Sequence, residues 1–294
     1  MVSFMLNRQF LMAHCCLYCE EIDKSVDLFL QASSNLENDE ILKGFLNFKN
    51  TKTDELSINY YLKVIHYYEL NGNIDAIIDL IHKAILCKNE KNRSRLYCIL
   101  FKSYMDLEYY ENAFEALVTN TDIEWKRNCL KQFIVELCNQ NKASELFKFD
   151  YSHMQQYVKE MLYKRAKSSD LRTHDYYSLL YSFYIKSNDY RKAAGCMYEY
   201  AIRLKNEMTD LQSLKKQEKC YLTCLNTLKL TNKEFAFISI PADVLNSASL
   251  RSQTNNLLHS NQNNGEILIE FEEINRNYLI VHYTVYIVNL RNFT

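Results

Sequence analysis

The stretch HDYYSLLYSFYIKSNDYRKAAGCMYEYAIRL, His174 to Leu204, carries seven tyrosines, and how they are read decides the fold. Tyr177, Tyr181 and Tyr184 step by four and three residues, with Leu180 on the same side and Tyr176, Leu179 and Phe183 widening it. That is the period of an α-helix with one apolar face. KSND interrupts the rhythm, which resumes at Tyr190 with Ala194, Met197 and Ala201, flanked by Tyr198 and Ile202. Two helices joined by a short polar turn account for this pattern. The rings then pack between helices, and a buried Leu or Tyr contributes roughly 1.5–3 kcal/mol. That gain holds only if the hydroxyl meets water or an acceptor. An aromatic groove for a peptide and a small-molecule pocket are the alternative readings of the same rings. Thr173 is the expected cap of the first helix, with Asp175 favoured by the dipole of its first turn.

The same arrangement recurs along the chain. Tyr67 precedes Ala76 by nine residues, as Tyr104 precedes Ala113 and Tyr184 precedes Ala193. Ile134 and Ala143 keep the offset with a weaker aromatic position. Each first residue sits late on an outgoing helix, and each small residue sits early on the return helix. The small side chain lets two backbones approach while the ring fills the space beside it. Tyr67, Ala76, Tyr104, Ala113, Tyr177, Tyr181, Tyr184, Tyr190 and Ala193 are therefore the candidate structural packing residues. The alanines at 76, 113, 143 and 193 are too unevenly spaced for a strict tetratricopeptide array with its period of about 34. An all-α, irregular helical-hairpin solenoid, a degenerate tetratricopeptide-like stack, fits them.

Composition agrees. The 294 residues include four glycines and one proline, too few for folds built on phosphate loops or many tight turns. Short helices are expected at 9–20 and 22–33, a mixed stretch to Thr53, then hairpins at 55–70 with 74–86, at 92–118, and at 122–139 with 143–148. Single helices are expected at 154–168 and 208–230. NGN at 71–73 supplies a left-handed helix end. NSASLRSQTNNLLHSNQNNG, 246–265, reads as a flexible polar linker. It divides a solenoid at 1–245 from a C-terminal strand/helix segment at 266–294, with a short strand near 267–271 and an uncertain drift toward β-branched residues after it.

Several candidate chemistries can be weighed. Cys16 and Cys19 have the C-x-x-C offset, but a zinc site needs a second pair, and Cys220 with Cys224 is far away in sequence. Cys87, Cys98, Cys129, Cys138 and Cys196 lie in helical patterns beside apolar neighbours, where cysteine packs as a small hydrophobe. No catalytic constellation, cofactor motif or metal motif emerges. The formal charge of -1 and the lack of a long basic run argue against direct nucleic-acid binding. MVSFMLNRQFLMAHCCLYC lacks the architecture of a secretion signal, and YLIVHYTVYIVNL is too short for a membrane-spanning helix. Trp125, beside Lys126, Arg127 and Lys131, is a candidate partner contact, because large rings concentrate interface area.

Three runs carry a resemblance: AFEALVTNTDIEWKRNCLKQFIVELC, THDYYSLLYSFYIKSNDYRKAAGCMYEYAIRL and KKQEKCYLTCLNTLKL. With Arg127, Cys129, Leu130, Phe133, His174, Tyr190, Arg191 and Tyr198 among the familiar positions, the chain resembles the helical part of the 160-kilodalton nucleoporin family of the Y complex. The resemblance covers roughly residues 1–283 and is strongest from Glu111 to Leu230. It implies a non-enzymatic scaffold without cofactor or small-molecule substrate, bound to other Y-complex nucleoporins. It also implies a place in the outer ring of the nuclear pore complex at the nuclear envelope, supporting mRNA export and protein import. Family members carry a β-propeller before the solenoid. This chain has none and ends on the atypical TVYIVNLRNFT, so it reads as a fragment or truncated form. A tetratricopeptide-like peptide-binding adaptor is the alternative function.

Overall fold

The computed structural model describes residues 2–34, 36, 40–47, 53–86, 93–241 and 266–291; the expected linker at 246–265 and Cys87 lie outside them. Two units emerge, Met1–Asp150 and Tyr151–Thr294. The first holds α1 (Val2–Tyr18), α2 (Ile22–Ser33), α3 (Glu40–Phe45), α4 (Thr53–Asn71), α5 (Ile74–Ile85), α6 (Arg93–Asp106), α7 (Tyr110–Thr119) and α8 (Ile123–Asn139), then a 3-10 helix at Ala143–Lys148. The second holds α9 (Gln155–Ser168), α10 (Tyr176–Lys186), α11 (Tyr190–Glu207) and α12 (Leu211–Leu228). It continues with a 3-10 turn at Lys233–Phe235, β1 (Phe237–Pro241), β2 (Glu266–Glu270) and α13 (Phe271–Arg291). The fold is the expected irregular stack of helical hairpins, with one short antiparallel strand pair in register Ile238 to Ile269.

One turn geometry recurs. At the ends of α1, α4, α6, α8 and α10, the residues Glu20, Gly72, Glu108, Asn141 and Asn188 take positive φ values between 57° and 73°. The N–H of the next residue then reaches back five positions. Glu21 donates to the Cys16 carbonyl (2.9 Å), Asn73 to Tyr68 (3.2 Å), Tyr109 to Tyr104 (2.9 Å), Lys142 to Leu137 (2.8 Å) and Asp189 to Tyr184 (2.9 Å). The left-handed residue itself donates three positions back, as Asn188 does to Ile185 (2.9 Å) and Glu108 to Met105 (3.1 Å). This is the Schellman ending, which satisfies carbonyls that a helix terminus would leave orphaned. The donor residue also precedes the first residue of the following helix or 3-10 turn. The chain therefore reverses with almost no loop.

In the first unit α2 packs on α1 and α4, α5 on α4 and α6, and α6 on α7 and α8. Phe10 meets Phe29 edge-on at 5.4 Å, and Phe114 stacks on Phe149 at 4.7 Å. In the second unit α11 lies against α10, α12 and β1, and α13 covers α12. The α11 stripe expected at Ala194, Met197 and Ala201 proves too narrow, because every residue from Ala193 to Ile202 is buried. A helix covered on all sides is a core helix, not a one-sided surface helix. β1 sits over Gly195, where an added Cβ would lie 3.8 Å from the Ser239 carbonyl oxygen, an ordinary contact. Asp175, not Thr173, caps α10, accepting the N–H of Ser178 at 2.9 Å. Thr173 instead donates its hydroxyl to the Asp170 carbonyl (3.0 Å).

Glutamate at a left-handed position costs backbone energy that glycine does not. Glu20→Gly is expected to raise the thermal midpoint by about 2–4 °C, or about 1 kcal/mol. Asn188→Val should lower stability by about 1–2 kcal/mol, since a β-branched side chain fits that backbone poorly. Thermal melts followed by circular dichroism check both signs.

Candidate functional site

Of the tyrosines in the opening stretch, Tyr176, Tyr177, Tyr198 and Tyr200 are buried and Tyr181, Tyr184 and Tyr190 partly exposed. Tyr177 is 1% exposed and stacks on Tyr200 at 4.8 Å with the planes 12° apart. Its hydroxyl donates to Glu199 Oε1 at 3.3 Å, and Lys167 Nζ stands 4.0 Å from the same oxygen. Glu199 is 4% exposed, so these two partners offset the cost of placing a carboxylate in the core. Burial first, and the Glu199 charge second, push the Tyr177 phenol far above its ordinary range. Arg203, beneath the Tyr177 ring, binds the Glu207 carboxylate at 2.6 and 2.8 Å and donates to the Ala166 and Ser169 carbonyls. That guanidinium ties α11 to the end of α9.

The other singled-out residues sit as follows. Tyr181 shares a 3.1 Å hydrogen bond with Thr227 of α12. Tyr184 is half-buried under the Lys159 ammonium, 5.3 Å from the ring centre. Tyr190 bonds to Asn188 Oδ1 at 3.1 Å on the surface. Tyr67 meets the His14 ring edge-on at 4.3 Å, and Tyr104 reaches His82 Nε2 at 3.1 Å. Ala76, Ala113 and Ala193 are all buried. Tyr104 and Tyr184 accept the five-residue reach-back bond at their turns, and Ala113 and Ala193 donate to the residue that opens the return helix. At the α4–α5 turn those positions belong to Tyr68 and Ile77, one residue later than Tyr67 and Ala76.

Sequence spacing did not reveal the cross-layer acceptors. Tyr60 donates to the Phe29 carbonyl (2.8 Å), and Tyr68 to Ser25 Oγ (2.8 Å), which donates in turn to the Ala13 carbonyl (2.9 Å). These bonds hold α4 to α2, and through Ser25 to α1, inside the first unit. Their only sequence signal is a serine nine residues after Cys16, in the position that alanine takes elsewhere.

Cys16 and Cys19 stand at the end of α1, half-buried and exposed. Cys220 and Cys224 are buried in α12, and burial pushes the Cys220 thiol up to about 12. Among the described residues, no group of three or more His, Cys, Asp or Glu could hold a metal ion. A cleft of about 470 Å³ lies beside Leu171, Leu204 and Met208. Its polar groups serve the fold: Asp210 accepts from Ser213 N and Oγ at the start of α12, and Lys216 pairs with Asp175 at 3.2 Å. The two Ser213 bonds hold Asp210 below its ordinary value. No described helix is long and apolar enough to cross a membrane.

Exposed large apolar side chains include those at the start of α8 and along α13. Trp125 is 45% exposed and Ile123 65%, in the first turn of α8, which Asp122 caps through the N–H groups of Glu124 and Trp125. On α13, Leu279, Ile280, Tyr283, Tyr286, Ile287 and Leu290 are exposed, opposite the buried Ile274, Val281 and Val285. The segment whose β-branched and aromatic residues left its type open is helical to Arg291. Packing on α12 overrides the few tenths of a kcal/mol per residue by which β-branched side chains disfavour a helix.

Tyr177→Phe leaves Glu199 short of a donor and should cost about 1–2 kcal/mol, whereas Tyr190→Phe should cost under about 0.5 kcal/mol. Urea titration of both variants measures the difference. Under native conditions an alkylating reagent should modify Cys15 and Cys19 quickly and leave Cys196, Cys220 and Cys224 protected until the chain unfolds. Peptide mapping after timed quenching reads those rates.

A family model described as the NUP160/120 middle TPR matches residues 4–230. The nuclear pore complex protein Nup160 of Mus musculus is 33% identical over 237 residues, covering 80% of this chain and 17% of that protein. The Homo sapiens Nup160 is 34% identical over 236 residues, covering 79% and 16%. The Drosophila melanogaster homolog is 30% identical over 254 residues, covering 80% and 18%. The chain thus spans less than a fifth of the length of these relatives. Matched over most of its residues, and folded as a tetratricopeptide-like stack, this chain belongs to the Nup160/120 family of nucleoporins.

Proposed function

We propose that this chain is a structural scaffold piece of the nuclear pore complex at the nuclear envelope. It acts in the outer ring by binding other Y-complex nucleoporins and so supports mRNA export and protein import. The match to the family over residues 4–230 carries this reading. The fold supports it, because the rings of α4 and α10 serve the core and are not gathered around a polar hollow. A peptide-binding adaptor would present polar and basic residues on those helices, and no observation favours it. The division into a solenoid at 1–245, a linker at 246–265 and a C-terminal segment from 266 is part of the same proposal. Trp125, with Ile123 beside it, is the partner contact within the matched segment.

Affinity capture from nuclear extract on the immobilised chain tests the proposal. Y-complex nucleoporins should be recovered, and Trp125→Ala should reduce the yield several-fold while the thermal midpoint stays within about 1 °C, as for an exposed interface ring. Recovery of chaperones alone would overturn the reading.

A further inference from the structure

We propose that Cys98 of α6 and Cys129 of α8 form a redox-sensitive dithiol that closes to a disulfide on reaction with a low-molecular-weight disulfide. The two sulfurs lie 3.7 Å apart, although the residues stand 31 positions apart in the sequence, and Cys129 Sγ–H donates to Cys98 Sγ. A second donor converges on the same sulfur, since the Asn120 side-chain amide approaches Cys98 Sγ at 3.4 Å. That amide is held in place. Asn120 is 1% exposed, its Nδ2 also donates to the Ser94 carbonyl (3.0 Å), and its Oδ1 accepts from the Asp122 N–H (3.0 Å).

The two thiols differ in the ways that stepwise exchange requires. Cys98 is half-buried and open to a small reagent, whereas Cys129 is 7% exposed. The Cys129 hydrogen bond, chiefly, and then the Asn120 amide hold the Cys98 thiol below its ordinary value against the opposing effects of burial and Asp122. Cys129 is held far above its own, mainly by that same bond to Cys98. The Cys98 thiolate attacks one sulfur of the reagent RSSR. The S–S bond breaks, RS⁻ leaves and takes up the proton that Cys98 released, and a mixed disulfide forms. Cys98 then no longer carries a charge to hold the Cys129 proton. Cys129 loses it to solvent and attacks Cys98 Sγ, expelling the second RS⁻, which is reprotonated. Two protein thiols are oxidised and one RSSR is reduced to two RSH. Closure requires the sulfurs to approach from 3.7 Å to about 2.05 Å by side-chain rotation. Cys220 and Cys224, both buried but four apart on the same helix, do not offer this geometry.

The test uses the full chain with Cys15, Cys16 and Cys19 changed to serine, incubated with oxidised glutathione while circular dichroism confirms that it stays folded. Non-reducing peptide mapping should recover a Cys98–Cys129 link, and the thermal midpoint should rise by roughly 5–10 °C and fall back with dithiothreitol. In Cys129→Ser, Cys98 should instead retain glutathione as a stable mixed disulfide. Cys98 carrying only glutathione with Cys129 present, both thiols left unmodified, or a link found only after denaturant would each overturn the proposal.

Discussion

The backbone reversal at a left-handed residue is the constraint on which the rest of the molecule depends. One residue at positive φ bends the chain out of its helix, and the next N–H closes on a carbonyl five positions back. Because that same donor residue precedes the next helical turn, nothing is left to adjust the angle or offset between the two arms. The residue whose carbonyl receives the bond and the fourth residue of the return arm are thus always nine apart. Tyr104 with Ala113 and Tyr184 with Ala193 occupy these two positions. At these two turns the ring-to-alanine spacing seen in the sequence coincides with this hydrogen bond.

Once hairpins are fixed in this way, their stacking becomes a question of satisfying polar atoms among large rings. Tyrosine fills more volume than leucine but brings a hydroxyl that must not be stranded. Tyr60 and Tyr68 meet this demand across layers, donating to a carbonyl and a serine of α2. Tyr177 meets it by donating to a buried carboxylate that itself needs donors. A hydrophobic contact tolerates sliding, whereas a hydroxyl 2.8 Å from a carbonyl does not. These bonds therefore fix the register between neighbouring helices, which apolar burial alone would leave loosely defined.

Where the sequence used residues with a local preference, the structure was legible. NGN at 71–73 and KSND at 186–189 contain glycine or asparagine at the left-handed position, and both helix ends were readable. Glu20 and Glu108 occupy the same conformation with no such preference, because the demand comes from the hairpin and not from the residue. Tyr67 and Ala76 sit next to Tyr68 and Ile77, so spacing alone could not choose between adjacent registers. β1 went unseen because five residues ending in proline give little periodicity and its partner strand begins at Glu266, far along the chain. The all-round burial of α11 from Ala193 to Ile202 could not be read from a one-sided stripe, because Glu199, and Arg191 and Arg203 at its margins, each meet a specific partner in or beside the core.

The last segment shows how such a stack hands its apolar surface outward. α12 has one face on α11 and another on α13, where His282 Nδ1 meets Glu218 at 2.6 Å, while Asn277 of α13 reaches past it to donate to the Tyr198 hydroxyl of α11 (3.1 Å). Covering α12 uses Ile274, Val281 and Val285 and leaves Leu279, Ile280, Tyr283 and Leu290 on the opposite side. A globular domain can curl to hide its final face, but a stack of hairpins cannot, because each layer contacts only its neighbours. A capping layer would meet solvent with a polar outer face, whereas α13 presents apolar side chains there.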